Sequence, residues 1–243
     1  MSCEILVLSA HPDDAELCCS GTVKKVTNAG KSVVFVDCSR GELGTRGTPE
    51  LRAKEAQNAA EILGVKSREN LDMPDGHIMH SQENILKVVN AIRAHKPRIL
   101  LTTPPIERHP DHEAVHKLAR AASFLAGLHK IETERNGKRQ EPHRPSRILS
   151  FMQWYDFADH PHVYVDITDT YADRERSIKA FTSQFHMPAH YQSDEPHTLL
   201  SQPDFFLTLE ARCRYHGSRI GVTYAEAFFS VEPLGLHTIT DLL

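Results

Sequence analysis

The chain has 243 residues, 40% of them hydrophobic and 25% charged, a composition that excludes collagen-like, low-complexity and disordered classes. Lys plus Arg (28) nearly balance Asp plus Glu (32), leaving a formal net charge of −4. Basic clusters are short, as at Lys24-Lys25 and Lys138-Arg139, so the footprint of a nucleic-acid binder is missing. Sixteen histidines are the unusual entry and point to metal or proton chemistry.

The apolar run nearest the N-terminus, residues 5–8, is far shorter than the roughly 20 residues that span a bilayer, and no basic segment precedes it. We therefore expect a cytoplasmic protein with no membrane partner. Five cysteines are an odd number, and the adjacent Cys18 and Cys19 cannot bridge without strain, which fits a reducing compartment.

Taken in order, residues 4–10 (EILVLSA) and 33–38 (VVFVDC) are β-prone runs, each followed by a stretch long enough for a helix. The spacing predicts helices over 15–29, 49–63, 81–95 and 111–126. Pro49 and Ser81 suit helix starts, and Gly30 and Gly64 suit stops. Further strands are predicted near Asn70 and over 98–103. Residues 1–126 thus read as a mostly parallel sheet with covering helices, in which ligands bind beyond the carboxyl ends of the strands.

Residues 127–146 turn polar and read as a surface excursion. Strands are expected again over 148–155 and 162–167, then a helix over 168–185, a loop over 186–203 long enough to suspect a lid, a helix to about Tyr215 and a last apolar run. We expect residues 147–243 to complete the same domain, giving a single Rossmann-like three-layer α/β unit over 1–243. The oligomeric state stays open, a homo-oligomer included.

The sharpest chemical signal is His11-Pro12-Asp13-Asp14, directly after the first strand. A dinucleotide-binding protein would place a glycine-rich turn there; this chain places an imidazole and two carboxylates. His11 and Asp14 can converge as a zinc-type ligand pair, leaving Asp13 beside the metal as a general base. The second signal, Arg108-His109-Pro110-Asp111-His112, follows another strand at the same sheet edge. One histidine from it would complete two imidazoles and a carboxylate with one open position, the arrangement of catalytic zinc. The other could stabilise an oxyanion or protonate a leaving amine.

Either motif alone is also an ordinary capped helix start; two at matching strand ends favour a site. His116, one helical turn after His112 with Glu113 between, offers an alternative ligand pair, but a position on the helix surface or behind the site fits better. His77, His80, His95, His129 and His143 read as surface residues. His186, His190 and His197 fall in the suspected lid, and Cys18 and Cys19 read as buried free thiols.

AHPDDAELCCSGT and RHPDHEAVH together resemble the two metal-site motifs of the LmbE/PIG-L-like zinc N-deacetylases, a Rossmann-like family acting on N-acetylglucosamine-type substrates. LRAKEA, NLDMPDG, IRAHKPRILLTTPPIERHPDH, FTSQF and LEARCRYHGSRIGVTYAEAF extend the similarity to the bacillithiol-biosynthesis branch. The resemblance implies zinc, with iron(II) as an alternative, on His11, Asp14 and His112. It also implies Asp13 as base, His109 as acid or oxyanion stabiliser, and Arg52 in contact with substrate. Arg108 and Arg46 add donors for a dicarboxylate aglycone, which fits N-acetylglucosaminyl malate. Other N-acetyl sugars, such as chito-oligosaccharides or inositol-linked glucosamine, and thiol-conjugate amides are alternatives within the class. A metal sensor and a nucleotide-binding module using Asp37 are alternatives outside it. The chain departs from the family after the first motif, where Leu17-Cys18-Cys19-Ser20 stands in place of the usual glycines and only Gly21 remains, which bears on pocket shape.

Overall fold

The structure, a computed structural model, describes residues 2–157, 163–187, 196–235 and 238. In chain order the described elements are β1 (Ile5–Ser9), α1 (Asp14–Asn28), β2 (Val33–Asp37), α2 (Pro49–Leu63), β3 (Ser67–Asn70), α3 (Gln82–His95), β4 (Ile99–Thr102) and α4 (Pro110–Ala126). Then come β5 (Glu134–Arg135), β6 (Lys138–Arg139), β7 (Arg147–Phe151), β8 (Val163–Asp166), α5 (Tyr171–Lys179), α6 (Phe205–Ile220) and β9 (Ala225–Phe229). Strands from both halves join one sheet in the order β3-β2-β1-β4-β7-β9-β8. The first five are mutually parallel, while β9 runs antiparallel to β7 and β8.

Every residue of β1 and β2 is buried, as expected of central parallel strands covered on both faces. Alternate side chains serve opposite layers. Leu6, Leu8, Val34 and Val36 pack with Val88, Ile92, Val115 and Leu118 of α3 and α4. Ile5, Val7 and Phe35 pack with Ala15, Cys19 and Val23 of α1. Beyond α1, the helices α2, α5 and α6 share a cluster that includes Ala59, Ile178, Phe181 and Phe205. The three-layer α/β architecture is as read from the sequence.

The helix signals act as expected. Thr48 and Ser81 accept the Leu51 and Asn84 amides as caps, and Gly64 closes α2 in the left-handed region. Differences concentrate in the second half. The excursion 127–146 contains a hairpin, β5–β6, turning through Asn136 and Gly137 at φ 54° and 72°. The strand expected over 148–155 stops at Phe151. The helix expected to reach 185 stops at Lys179, and Phe181 and Phe185 instead turn into the α2–α6 cluster. The final helix runs on to Ile220, where Gly221 at φ 75° ends it. His190 and the centre of the suspected lid lie outside the described residues.

Two buried charge clusters tie helices to the sheet. Arg68 of β3 donates to Asp37 of β2 at 2.6 and 3.0 Å and to Glu16 of α1 at 2.6 Å. Glu226 of β9 accepts the backbone N–H groups of Gly21 and Thr22 inside α1 at 2.9 and 2.8 Å, with Arg174 of α5 at 3.3 Å. Gly21 also lets Ile167 pack directly on α1, because an added Cβ would lie 2.8 Å from Ile167 Cδ1. Arg68→Leu would leave two buried carboxylates without their cation, so we expect a loss of about 3–5 kcal/mol, read as a lower urea midpoint at neutral pH.

Candidate active site

The turn after β1 is closed by Asp14. Its Oδ2 accepts the Ala10 and His11 amides at 3.1 and 2.9 Å, which aims Oδ1 across the sheet edge. Asp13, at the N-terminus of α1, is held at φ 120°, a left-handed conformation that costs on the order of 1–3 kcal/mol for a residue with a side chain. Arg52 of α2 secures it, donating from Nη2 to Pro12 O at 2.7 Å and to Asp13 Oδ2 at 3.0 Å, and from Nη1 to Gly41 O at 2.9 Å. Gly41, at φ 68°, must be glycine here, since a Cβ would fall 1.8 Å from that Nη1.

β4 lies beside β1, so the second motif arrives at the same edge. His109 caps α4, its Nδ1 accepting the Asp111 amide at 3.3 Å, and Pro110 fills the first helical position. His112 follows in the first turn. Its Nε2 lies 3.3 Å from His11 Nδ1 and 3.3 Å from Asp14 Oδ1, while His11 Nδ1 is 3.6 Å from Asp14 Oδ2. Metal–ligand bonds of about 2.0–2.1 Å at tetrahedral angles set ligand atoms about 3.3 Å apart, so the two 3.3 Å separations from His112 Nε2 suit a divalent transition ion held by this triangle of residues. The His109 ring, 4.7 Å from that of His11 and 5.0 Å from that of His112, stands beside it.

The far nitrogen of His11 is supported by two carboxylates, Asp75 Oδ1 at 3.0 Å and Asp111 Oδ2 at 3.2 Å. Asp111 also accepts the Gly76 and Ile78 amides, and Asp75 accepts the Leu43 amide. These acceptors fix the proton of His11 on Nε2 and turn Nδ1 to the triangle, the usual support for a metal-binding imidazole. His11, Asp75 and Asp111 could themselves approach a cation, but the backbone amides already engage the carboxylates.

Charges at the site are strongly coupled. Burial pushes the Asp13 carboxyl up to about 7, against the lowering influence of Arg52. Burial acts on Asp14 in the same sense, but the neighbouring His112 and His11 hold it well below the usual carboxylate range. His11 resists burial through Asp111, Asp14 and Asp75 and is raised. Burial and the two neighbouring imidazoles lower His109.

A cavity of about 490 Å³ opens over the triangle. Asp13, His109 and His112 lie at its floor, Leu17, Cys18 and Leu209 form an apolar wall, and Arg108, Trp154 and Arg212 line it as well. The Cys18 thiol is raised by burial and is not a reactive thiolate. Arg108 sits 5.1 Å over the 39%-exposed Trp154 ring, and Arg212 donates to Trp154 O at 2.9 Å. Glu107 fastens this part of the wall by accepting the Arg108, Trp154 and Tyr155 amides.

His11, Asp13, Asp14, Arg52, Arg108, His109 and His112 line this cavity; Arg46, expected to add a donor, is not among its lining residues. Arg52, expected to meet substrate, has its guanidinium on Asp13 and two carbonyls. Of the two positions expected for His116, the helix surface is corrected: it is buried, with Nδ1 against Thr103 O at 3.0 Å. Asp37, the acceptor needed by a nucleotide module, is held by Arg68. Asp75, Glu107, Trp154 and Gln153 were not picked out, and Asp111, although part of the second motif, was given no role of its own; of the former, only Asp75 carried a local signal, the Pro-Asp-Gly turn at 74–76.

The fold and site fit a class, the α/β amide hydrolases with a cluster of histidines and aspartates at the carboxyl edge of the sheet. The family described as PIG-L: GlcNAc-PI de-N-acetylase matches residues 6–123. The diacetylchitobiose deacetylase of Thermococcus kodakarensis is 30% identical over 96% of this chain and 85% of its own length. A Bacillus cereus relative described as probable N-acetyl-alpha-D-glucosaminyl L-malate deacetylase 2 is 29% identical over 51% of this chain and 63% of its own. The crystal structure of a conserved Thermus thermophilus protein, TT1542, superposes with a TM-score of 0.85 at 36% identity, covering 98% of both chains. The chain belongs to the PIG-L family of de-N-acetylases. Among the described residues, no helix is long and apolar enough to cross a membrane.

Asp111→Ala would free the His11 ring to turn, and we expect metal affinity to fall about 10- to 100-fold, measured by competition with a chromophoric chelator.

Proposed function

We propose that this chain hydrolyses the acetamide of an N-acetylglucosamine-containing small molecule, releasing acetate and a free amine, with zinc on His11, Asp14 and His112. Iron(II) suits the same donors. The observation that carries the reading is the convergence of three donor residues, with His112 Nε2 3.3 Å from both His11 Nδ1 and Asp14 Oδ1, flanked by Asp13 and His109. When bound, the metal supplies Lewis acidity, polarising the amide carbonyl and bringing the pKa of a coordinated water toward neutrality.

The side chains supply the remaining steps. Asp13, anchored by Arg52, takes the proton of the attacking water and then delivers it to the departing amine. Because His109 Nδ1 accepts the Asp111 amide, its proton sits on Nε2, where it donates to the carbonyl oxygen as negative charge develops. The apolar wall of Leu17, Cys18 and Leu209 excludes competing water.

N-acetylglucosaminyl malate is the substrate we favour. Arg108 and Arg212 line the cavity and have no carboxylate partner among the described residues, so they suit a dicarboxylate aglycone. A neutral chito-oligosaccharide is the second reading, favoured by the exposed Trp154 face, on which a sugar ring can stack.

Amine release should be measured on N-acetylglucosaminyl malate, diacetylchitobiose and free N-acetylglucosamine. We expect Asp13→Ala to lose about 10²- to 10⁴-fold in kcat with metal retained, and His112→Ala to lose metal. Arg108→Ala should raise KM about tenfold for the malate glycoside and leave the neutral sugars unchanged. Near-normal turnover by Asp13→Ala would refute its role as base. Stoichiometric metal with no amine release from any acetylated sugar would favour a sensing protein.

A further inference from the structure

Gln153 lies two residues beyond β7, which pairs in parallel with β4 and so delivers its following loop to the same edge as His109 and His112. Its side chain is buried, with the residue only 8% exposed, and ends against two of the three donor residues. Nε2 is 2.7 Å from Asp14 Oδ1 and 3.3 Å from His112 Nε2, while Oε1 has no hydrogen-bond partner.

The 3.3 Å separation from His112 Nε2 matches the spacing of two ligands on one ion, and the 2.7 Å contact is a hydrogen bond to a second donor residue. The tip of Gln153 therefore stands beside the position of a fourth ligand. The two ends of a carboxamide have nearly the same shape and exchange by a half-turn of the terminal torsion. In the orientation present, Nε2 donates to Asp14. Facing a cation, the amide N–H groups are repelled and the carbonyl oxygen, a hard donor of the kind that Asn and Gln lend to metals, is attracted. A half-turn would bring in the oxygen that lacks a partner.

We propose that Gln153 is a fourth, displaceable ligand of the resting metal centre, its amide oxygen holding the position that the acetamide oxygen of substrate takes. The inference rests on the reading that His11, Asp14 and His112 hold the ion. A carboxamide is the chemical likeness of the bond to be cleaved, so the chain carries its own competitor for the open position. Substrate binding exchanges one amide oxygen for another.

The competing role for Gln153 is a donor that orients Asp14, and substitution separates the two. Cobalt(II) can be loaded into the wild type, Gln153→Met and Gln153→Glu, with the visible spectrum and the affinity against a competing chelator as readouts. Thermal midpoints in excess chelator report folding apart from metal. Methionine keeps the length and removes the hard donor, so its cobalt spectrum should change and its affinity fall about 10- to 100-fold. Glutamate supplies a carboxylate oxygen, so its affinity should equal or exceed that of the wild type. Should Gln153→Met fail to fold, Gln153→Asn keeps the amide but not the reach and is expected to show the same spectral change. A spectrum identical in the wild type and in the folded Met or Asn variant would overturn the proposal. So would Gln153→Glu binding more weakly than Gln153→Met, as repulsion from Asp14 requires. A wild type that binds no cobalt, or a His112→Ala variant that binds it equally well, would instead overturn the metal reading on which the proposal stands.

Discussion

The two oxygens of Asp14 do different work, and the site is organised around that division. Oδ2 closes the turn after β1 by accepting two consecutive amides, so the carboxylate is part of the backbone architecture. Oδ1 is left facing His112 from the neighbouring strand end. A group fixed by main-chain hydrogen bonds would need little reorganisation to take up the proposed metal ion. The same closure leaves Asp13 at a strained dihedral beside the donor triangle. The strain is held in place from outside the turn by Arg52, whose guanidinium spans the Pro12 carbonyl, the Asp13 carboxylate and the loop carbonyl of Gly41.

Sheet order explains why these groups meet. β1 lies between β2 and β4, so the loops following β1 and β4 are neighbours although about a hundred residues separate His11 from His112. β7 lies on the other side of β4 and contributes Gln153 and Trp154. Short parallel strands thus deliver three loops, Arg108 among their residues, to one edge, while α1 and α6 supply the apolar wall and α6 also Arg212.

This geometry also explains what could be read from sequence. Helix limits in the first half were legible because caps and apolar spacing are local, and Thr48, Ser81 and Gly64 act through immediate neighbours. The two His-Pro-Asp motifs were legible because each places its proposed ligands within a few residues. Arg52 was recognised by resemblance, but its engagement with Asp13 depends on where α2 crosses the turn. Asp75, Glu107 and Gln153 gave no comparable signal, since each acts on a partner that is remote or defined by loop packing. The second half was harder for the same reason. Phe181 and Phe185 have helical spacing, yet the α2–α6 cluster draws them out of the helix.

The position of β9 has a consequence for the order in which the chain can assemble. β8 is made well before β9, yet it reaches the sheet only through β9, which inserts between it and β7. Until β9 is present, β8 lacks its neighbour among the described strands, and β7 shows an open edge. Glu226 on that same strand supplies acceptors for two amides in the middle of α1, the helix that begins at Asp13 and Asp14. A helix made early is therefore completed by a strand made much later, and the edge that carries the site matures only when the sheet closes around this late wedge.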